Sequence, residues 1–274
     1  MRVIGVDEHR WAPRRRGTAG LVTLIIDLTP VHDHSGPARL LDMVEGRSAQ
    51  ALTTWLADQP AAFRDQVEVV AMDGFGGYKT AATEVLPEAA AVMDPFHVVA
   101  LAGGKLDTCR QRIQQATCGH RARTGDPLYG VRRTLRTRVP LLTTRQQARL
   151  SAVFADDDHL AVVVTCSVYQ RIIAAYAQPD RRRGKTMMTT IINSLRHGVP
   201  AVLEELAQLG RTLYRRRADV LAYFDHHASN GPTEAINGRL EALRRNALGF
   251  RNLTHYRWRS LLHSGILHQL VNAL

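Results

Sequence analysis

Arg2-Val3-Ile4-Gly5-Val6-Asp7-Glu8 is a short apolar run that closes on acids almost as soon as the chain begins. Val3, Ile4 and Val6 are β-branched, so the run reads as a buried strand that delivers Asp7 to its carboxyl end. A second run of the same kind, Val67-Glu68-Val69-Val70-Ala71-Met72, ends on Asp73 with Gly74 behind it. If the two strands lie side by side and parallel, both carboxylates converge at the sheet edge where α/β proteins place their chemistry.

Between them, Leu21 to Leu28 and Arg39 to Val44 read as strands joined by short Gly-, Pro-, His- and Asp-rich connections, including a polar turn over His9 to Arg16. This predicts an antiparallel meander. Ser48 is placed to cap a helix through Leu52, Trp55 and Leu56 that closes at Pro60 and crosses over to the Val67 strand. Gly76 to Leu86 reads as a further helix, and Ala90 to Met93 as a fifth strand ending at Asp94. The expected order is β-β-β-α-β-α-β.

From Phe96 the pattern changes to helical periodicity. The spacing predicts helices over Phe96 to Thr117, Thr144 to Phe154, Asp158 to Ala177, Lys185 to Arg196, Ala201 to Asp225 and Pro232 to Asn246. Linkers are expected at Gly119 to Pro140 and at the run Arg181-Arg182-Arg183-Gly184-Lys185. Residues 98–226 thus read as an all-helical insertion between a core segment, 1–97, and C-terminal helices, 227–274, that complete the core.

The formal net charge of the 274 residues is +11. It is unevenly spread: residues 1–97 hold 9 basic and 13 acidic side chains, and residues 98–274 hold 27 and 12. Such a surface suits a polyanion, nucleic acid ahead of acidic lipid, although a merely solvated basic exterior is the plain alternative. No stretch approaches about 18 uninterrupted apolar residues and no signal-peptide pattern is present, so a soluble cytoplasmic protein is expected. Cys109, Cys118 and Cys166 lack metal or disulfide spacing and read as free thiols.

A third acid turns a fold into a chemistry. Ser229-Asn230-Gly231-Pro232-Thr233-Glu234 carries a cap, a proline in the first helical turn and a carboxylate, with Ile236, Leu240 and Leu243 on the opposite face. Taken singly, Asp7, Asp73 and Glu234 are ordinary strand-end and first-turn acids. Together they are the ligand set that phosphodiester hydrolysis and strand transfer need: two divalent ions about 4 Å apart, held by hard oxygens, stabilise the attacking and leaving oxygens.

Four motifs in order then resemble one family: Val3-Ile4-Gly5-Val6-Asp7; Val70-Ala71-Met72-Asp73-Gly74-Phe75-Gly76-Gly77-Tyr78; Val92-Met93-Asp94-Pro95-Phe96-His97; and Ser229 to Arg239 around Glu234 and Asn237. They are similar to the catalytic domain of DDE transposases of bacterial insertion sequences, of the ISL-three group, and Arg244 to Asn252 is similar to the basic segment after the last acid there. The resemblance covers nearly the whole chain. It implies an α/β, ribonuclease-H-like fold, a mixed five-stranded sheet flanked by helices with an all-helical insertion before the last catalytic acid. It also implies Asp7, Asp73 and Glu234 as catalytic and metal-binding triad for two Mg2+ or Mn2+ ions, and assembly as a homodimer on DNA. The DxxH pattern suggests that Asp94 and His97 position the scissile phosphate, a helix cap being the other reading of His97. Lys105, Arg132, Arg133, Arg182, Arg239, Arg244 and Arg245 are candidate DNA contacts. Full-length members carry a zinc-binding module and a helix-turn-helix ahead of the catalytic strand, whereas this sequence starts two residues before it. An inactive remnant that only binds DNA, or a plain nuclease of the same fold, are therefore the competing expectations.

Overall fold

A computed structural model describes residues 2–12, 20–120 and 123–265. They form two compact units: Met1–Asp94 with Asp225–Leu274, and Pro95–Phe224.

The first unit is built on five strands, β1 (Val3–Arg10), β2 (Leu21–Asp27), β3 (Arg39–Glu45), β4 (Val69–Met72) and β5 (Ala90–Met93), in the sheet order β3-β2-β1-β4-β5. The meander β1-β2-β3 is antiparallel, with a register shift between Ile25 and Ile26, while β1, β4 and β5 run parallel. The mixed α/β sheet expected from the sequence is thus formed.

One expectation needs correction. β1 does not end at Asp7: its pairing with β4 stops at Val6, but the antiparallel ladder to β2 runs on to Arg10 opposite Leu21. Strand β2 still supplies hydrogen-bond partners where the shorter β4 has ended, so the backbone stays extended past the acid. Of the turn expected over His9 to Arg16, His9 and Arg10 are strand; residues 13–16 lie outside the described residues.

Helices cover the sheet. α1 (Thr29–His32) is a single turn; α2 (Ala49–Ala57), α3 (Ala61–Arg64) and α4 (Gly76–Val85) follow. The Ser48 hydroxyl caps α2 by accepting from the Ala51 N–H at 3.1 Å. Leu52 and Leu56 of α2 and Tyr78, Ala81 and Ala82 of α4 pack on Ile4, Val6, Ile25, Val70 and Met72. By strand alternation Gly5 and Asp7 face the other way, toward α12 (Gly231–Asn246), which packs on β1 and on α13 (Leu253–Ser264). α13 falls within the C-terminal stretch expected to be helical, though the sequence sets no bounds for it there; it packs on β3, and Arg257 holds Asp42 through two bonds of 2.6 and 2.8 Å.

The second unit is helical: α5 (Pro95–Cys118), α6 (Arg132–Arg136), α7 (Thr144–Phe154), α8 (Leu160–Tyr176), α9 (Arg181–Ser194), α10 (Glu204–Arg215) and α11 (Arg217–His226), whose last two residues fall in the first unit. The arginine run expected to be a linker is the first turn of α9, because Asp180 accepts from the Arg182 and Arg183 N–H groups and so starts the helix four residues early. The single helix expected over Ala201 to Asp225 breaks at Arg216, whose backbone (φ −102°, ψ 16°) leaves helical geometry while its buried guanidinium pairs with Asp219. α6 lies inside the expected Gly119 to Pro140 linker, of which residues 121–122 are outside the described residues. The stretch Asp157–Tyr176 is long and apolar enough to span a membrane by length and composition, but it is the central helix of this unit, in contact with α5 and α9. Cys109 and Cys166 are buried free thiols, and Cys118 is half-buried.

Candidate active site at the sheet edge

The parallel register places three acids in one row. Val6 stands opposite Met72, and Met72 opposite Met93, so Asp7, Asp73 and Asp94 each follow the last paired residue of adjacent strands. All three are buried. Buried carboxylates are costly unless donors or cations answer them.

Asp7 accepts the Glu8 N–H at Oδ1 (2.8 Å) and the Asn237 amide at Oδ2 (2.9 Å). Asp73 accepts the Phe75 N–H at Oδ1 (2.7 Å), which turns the chain into α4, and Arg47 Nη2 at Oδ2 (3.4 Å). Arg47 also pairs with Glu8 and lies 4.6 Å over the Phe75 ring.

Asp94 does different work. Its Oδ1 accepts the Ser229 hydroxyl (2.8 Å) and the Asn230 N–H (2.7 Å), tying the start of α12 to the end of β5. Asn230 is the N-cap residue of α12, but its side chain does not cap the helix: Nδ2 donates to the Val6 carbonyl (3.2 Å), and Oδ1 accepts from Thr233 (2.7 Å). Only glycine admits this approach at position 5, since a Cβ there would meet Asn230 Oδ1 at 2.6 Å and Leu28 Cδ1 at 2.8 Å.

Glu234, in the first turn of α12, is exposed and makes no hydrogen bond or ion pair with a described residue. Among the described residues no three His, Cys, Asp or Glu side chains stand close enough together to hold a metal ion. The structure therefore puts Asp7 and Asp73 directly after paired residues of adjacent strands but does not gather Glu234 with them; what reaches Asp7 from α12 is Asn237. Residues three apart on a helix are surface neighbours, roughly 5 to 6 Å between Cβ atoms, so Glu234 stands one turn from Asp7's partner. Asn237 Oδ1 is buried without a hydrogen-bond partner. The Asp7 and Asp73 carboxylates and the Asn237 amide oxygen are hard oxygen donors, the kind a divalent ion takes.

Behind Asp7, His9 Nε2 lies 2.7 Å from Tyr256 Oη, and that hydroxyl donates to the Leu240 carbonyl (3.0 Å). With its proton so committed, Tyr256 accepts from a neutral His9 protonated at Nε2. Burial pushes the His9 pKa down to about 4, the nearby Glu241 carboxylate opposing it.

The other expected site residues are dispersed. His97 is half-buried in the first turn of α5, in the second unit, 5.5 Å from the Phe96 ring. Lys105 is bonded to Gln208 (2.6 Å), and Arg132 pairs with Asp107. Arg244 and Arg245 both pair with Glu241, whose carboxyl they hold down at about 2, the Arg244 hydrogen bond being the larger cause. Arg133, Arg182 and Arg239 are exposed, with no ion pair to a described residue. The second unit carries 21 basic and 9 acidic side chains, a net +12. Nothing in the sequence marks Arg47 or Glu8 for this site, and the one signal for Asn237 is its spacing from Glu234 on the same helix.

Among known proteins, a family described as Transposase, the DDE group of ISL-three elements, matches residues 4–260. Curated relatives include the transposase for insertion sequence element IS1557 of Mycobacterium tuberculosis, in strains CDC 1551 / Oshkosh and ATCC 25618 / H37Rv. Each is 27% identical over 273 residues, covering 92% of this chain and 57% of the relative. The chain thus spans little more than half the length of these relatives. Among solved structures, the Drosophila P element transposase strand transfer complex aligns with 94% of this chain and 75% of its own length at 10% identity and a TM-score of 0.44, too distant a likeness to bear on the fold.

Proposed function

Because the chain belongs to the DDE transposase family of ISL-three insertion sequences, we propose that it is the catalytic part of a transposase, cleaving and rejoining DNA phosphodiester bonds on a ribonuclease-H-like core. The observation that carries this reading is the register Val6↔Met72, after which Asp7 and Asp73 follow directly where the parallel pairing of β1 and β4 stops. The helix bearing Glu234 is fastened to the same edge through Asn237 and Asn230.

Members of the family use divalent metal ions. Asp7, Asp73 and Glu234 would hold two Mg2+ or Mn2+ ions, which supply charge stabilisation at the attacking and leaving oxygens of an in-line displacement. The chain's own residues do the positioning. The Glu8 and Phe75 N–H groups and the Asn237 amide fix the two aspartate side chains, so little reorganisation is left for the reaction. Asp94 acts through α12, anchoring the helix that carries Glu234.

The second unit, with its net +12, would grip the DNA backbone by neutralising phosphates. His97 is proposed to contact the phosphate near the cut, and Arg133, Arg182 and Arg239 to bind the flanking backbone, with Lys105, Arg132, Arg244 and Arg245 contributing where their present partners release them. A homodimer assembled on paired DNA ends is the expected working form.

The test is nicking of supercoiled DNA and joining of labelled oligonucleotides by purified protein in Mg2+ or Mn2+, with Asp7→Asn, Asp73→Asn and Glu234→Gln alongside. Loss of both reactions in all three variants, with DNA binding kept, is expected. Undiminished cleavage by Asp7→Asn or Asp73→Asn overturns the reading, and cleavage without joining by the unaltered chain reduces it to a nuclease.

A further inference from the structure

Arg47 is placed by the fold rather than left to the solvent. It follows Gly46, whose left-handed backbone (φ +89°) turns the chain out of β3, and precedes Ser48, the cap of α2. Gly46 is clamped at both ends, its N–H donating to the Leu21 carbonyl (3.0 Å) and its carbonyl accepting from the Thr23 hydroxyl (2.8 Å). The guanidinium then makes three contacts at once: an ion pair to Glu8, the Phe75 ring 4.6 Å beneath it, and Asp73 Oδ2 at 3.4 Å. Asp73 is the more buried partner, its side chain 7% exposed against 34% for Arg47. The contact to Asp73 is longer than the Phe75 N–H bond to the same carboxylate (2.7 Å), whereas Glu8 and Phe75 hold the arginine independently of it.

From this geometry we propose that Arg47 is a tethered counter-cation at Asp73 Oδ2 that competes with a divalent ion for that oxygen. The inference rests on the reading of Asp73 as a metal ligand, and deepens it by naming what balances the site before metal arrives. A buried carboxylate such as Asp73 costs free energy by desolvation unless a donor or cation answers it, and a fixed positive charge offsets that cost. A doubly charged ion at the same oxygen is repelled by the guanidinium until the guanidinium withdraws. The tether to Glu8 and Phe75 lets it withdraw by side-chain rotation without leaving the rim. Arg47 is in this sense a positioning and gating residue for the metal, with no contact to the reacting atoms required.

The test is Mn2+ binding to the full chain without DNA, read from the free-ion signal in electron paramagnetic resonance, for wild type, Arg47→Met, Arg47→Lys and Asp73→Asn. Arg47→Met keeps an apolar stem on Phe75 and removes the charge; it is expected to bind Mn2+ about tenfold more tightly, while Arg47→Lys stays near wild type and Asp73→Asn loses binding. Arg47→Met should also melt lower than wild type in chelator and regain the difference in saturating Mn2+. A merely structural arginine would lower the melting temperature in both conditions and leave the affinity alone, and that result overturns the proposal. If Asp73→Asn binds as well as wild type, the metal reading of Asp73 falls and this inference with it; if Asp73→Asn fails to bind while Arg47→Met is unchanged, only this inference falls. Arg47→Gln provides the same comparison should Arg47→Met not fold.

Discussion

Asn237, one helical turn beyond Glu234, donates its side-chain amide to Asp7 Oδ2 across 2.9 Å, joining residues 230 positions apart in the chain. This bond joins α12 to β1, with Glu234 one turn along the helix from Asp7's partner. It gives the amide a role that a neighbouring carboxylate could not fill without repelling Asp7.

Removing that bond separates alignment from chemistry. Asn237→Ala is expected to lower stability by on the order of 2 kcal/mol, the usual worth of a hydrogen bond to a charged group, measured by urea unfolding. Metal-dependent cleavage should fall about tenfold or more, because a misplaced carboxylate loses the geometry that positioning supplies. Cleavage at the wild-type rate would show that α12 is held well enough by Asn230 and Asp94 alone.

Asp94 is expected to matter for stability and not for metal. Asp94→Ala leaves the Ser229 hydroxyl and the buried Asn230 N–H without their acceptor, a loss of about 2 to 3 kcal/mol. Mn2+ affinity, measured on the folded fraction, should stay within about twofold of wild type, since Asp94 anchors the start of α12 and reaches the ligands only through that helix. A large fall in affinity with intact stability would instead make Asp94 a ligand.

His9 sets an acid limit. Its pKa is about 4 in the folded protein against 6.5 ordinarily, so between those values the unfolded chain binds a proton that the folded chain refuses. Stability therefore rises with pH across this window, is fully present above about pH 6.5 and is lost as pH falls, by on the order of 3 kcal/mol in total. Urea midpoints between pH 6.5 and 5, above the range where Glu241 titrates, should slope downward with acid in wild type and run flatter in His9→Gln.

The arginines should divide by their partners. In the salt dependence of DNA binding, Arg133→Ala and Arg182→Ala are each expected to reduce the slope of log affinity against log salt by about one. Arg132→Ala should change it less, because Asp107 already neutralises that guanidinium. Equal effects from all three would mean that DNA displaces Asp107.

Much of the frame was legible in the chain itself. β-branched runs, glycine- and proline-rich turns and the Ser48 cap are local signals, and they determined five strands and their order along the chain, though not that β1 runs on past Asp7 to Arg10. The same local logic failed where charge concealed periodicity, as in the Arg181 run that Asp180 draws into a helix, and where a buried ion pair, Arg216 with Asp219, breaks a continuous apolar pattern. Tertiary structure alone decided the register that sets Asp7 beside Asp73, and that Asn237 and Arg47 are the groups that answer them. A hydrogen bond between distant residues leaves no trace in spacing: it exists only once the sheet, the loop after β3 and α12 have been packed against one another, and the desolvated carboxylates then fix which donors must stand there.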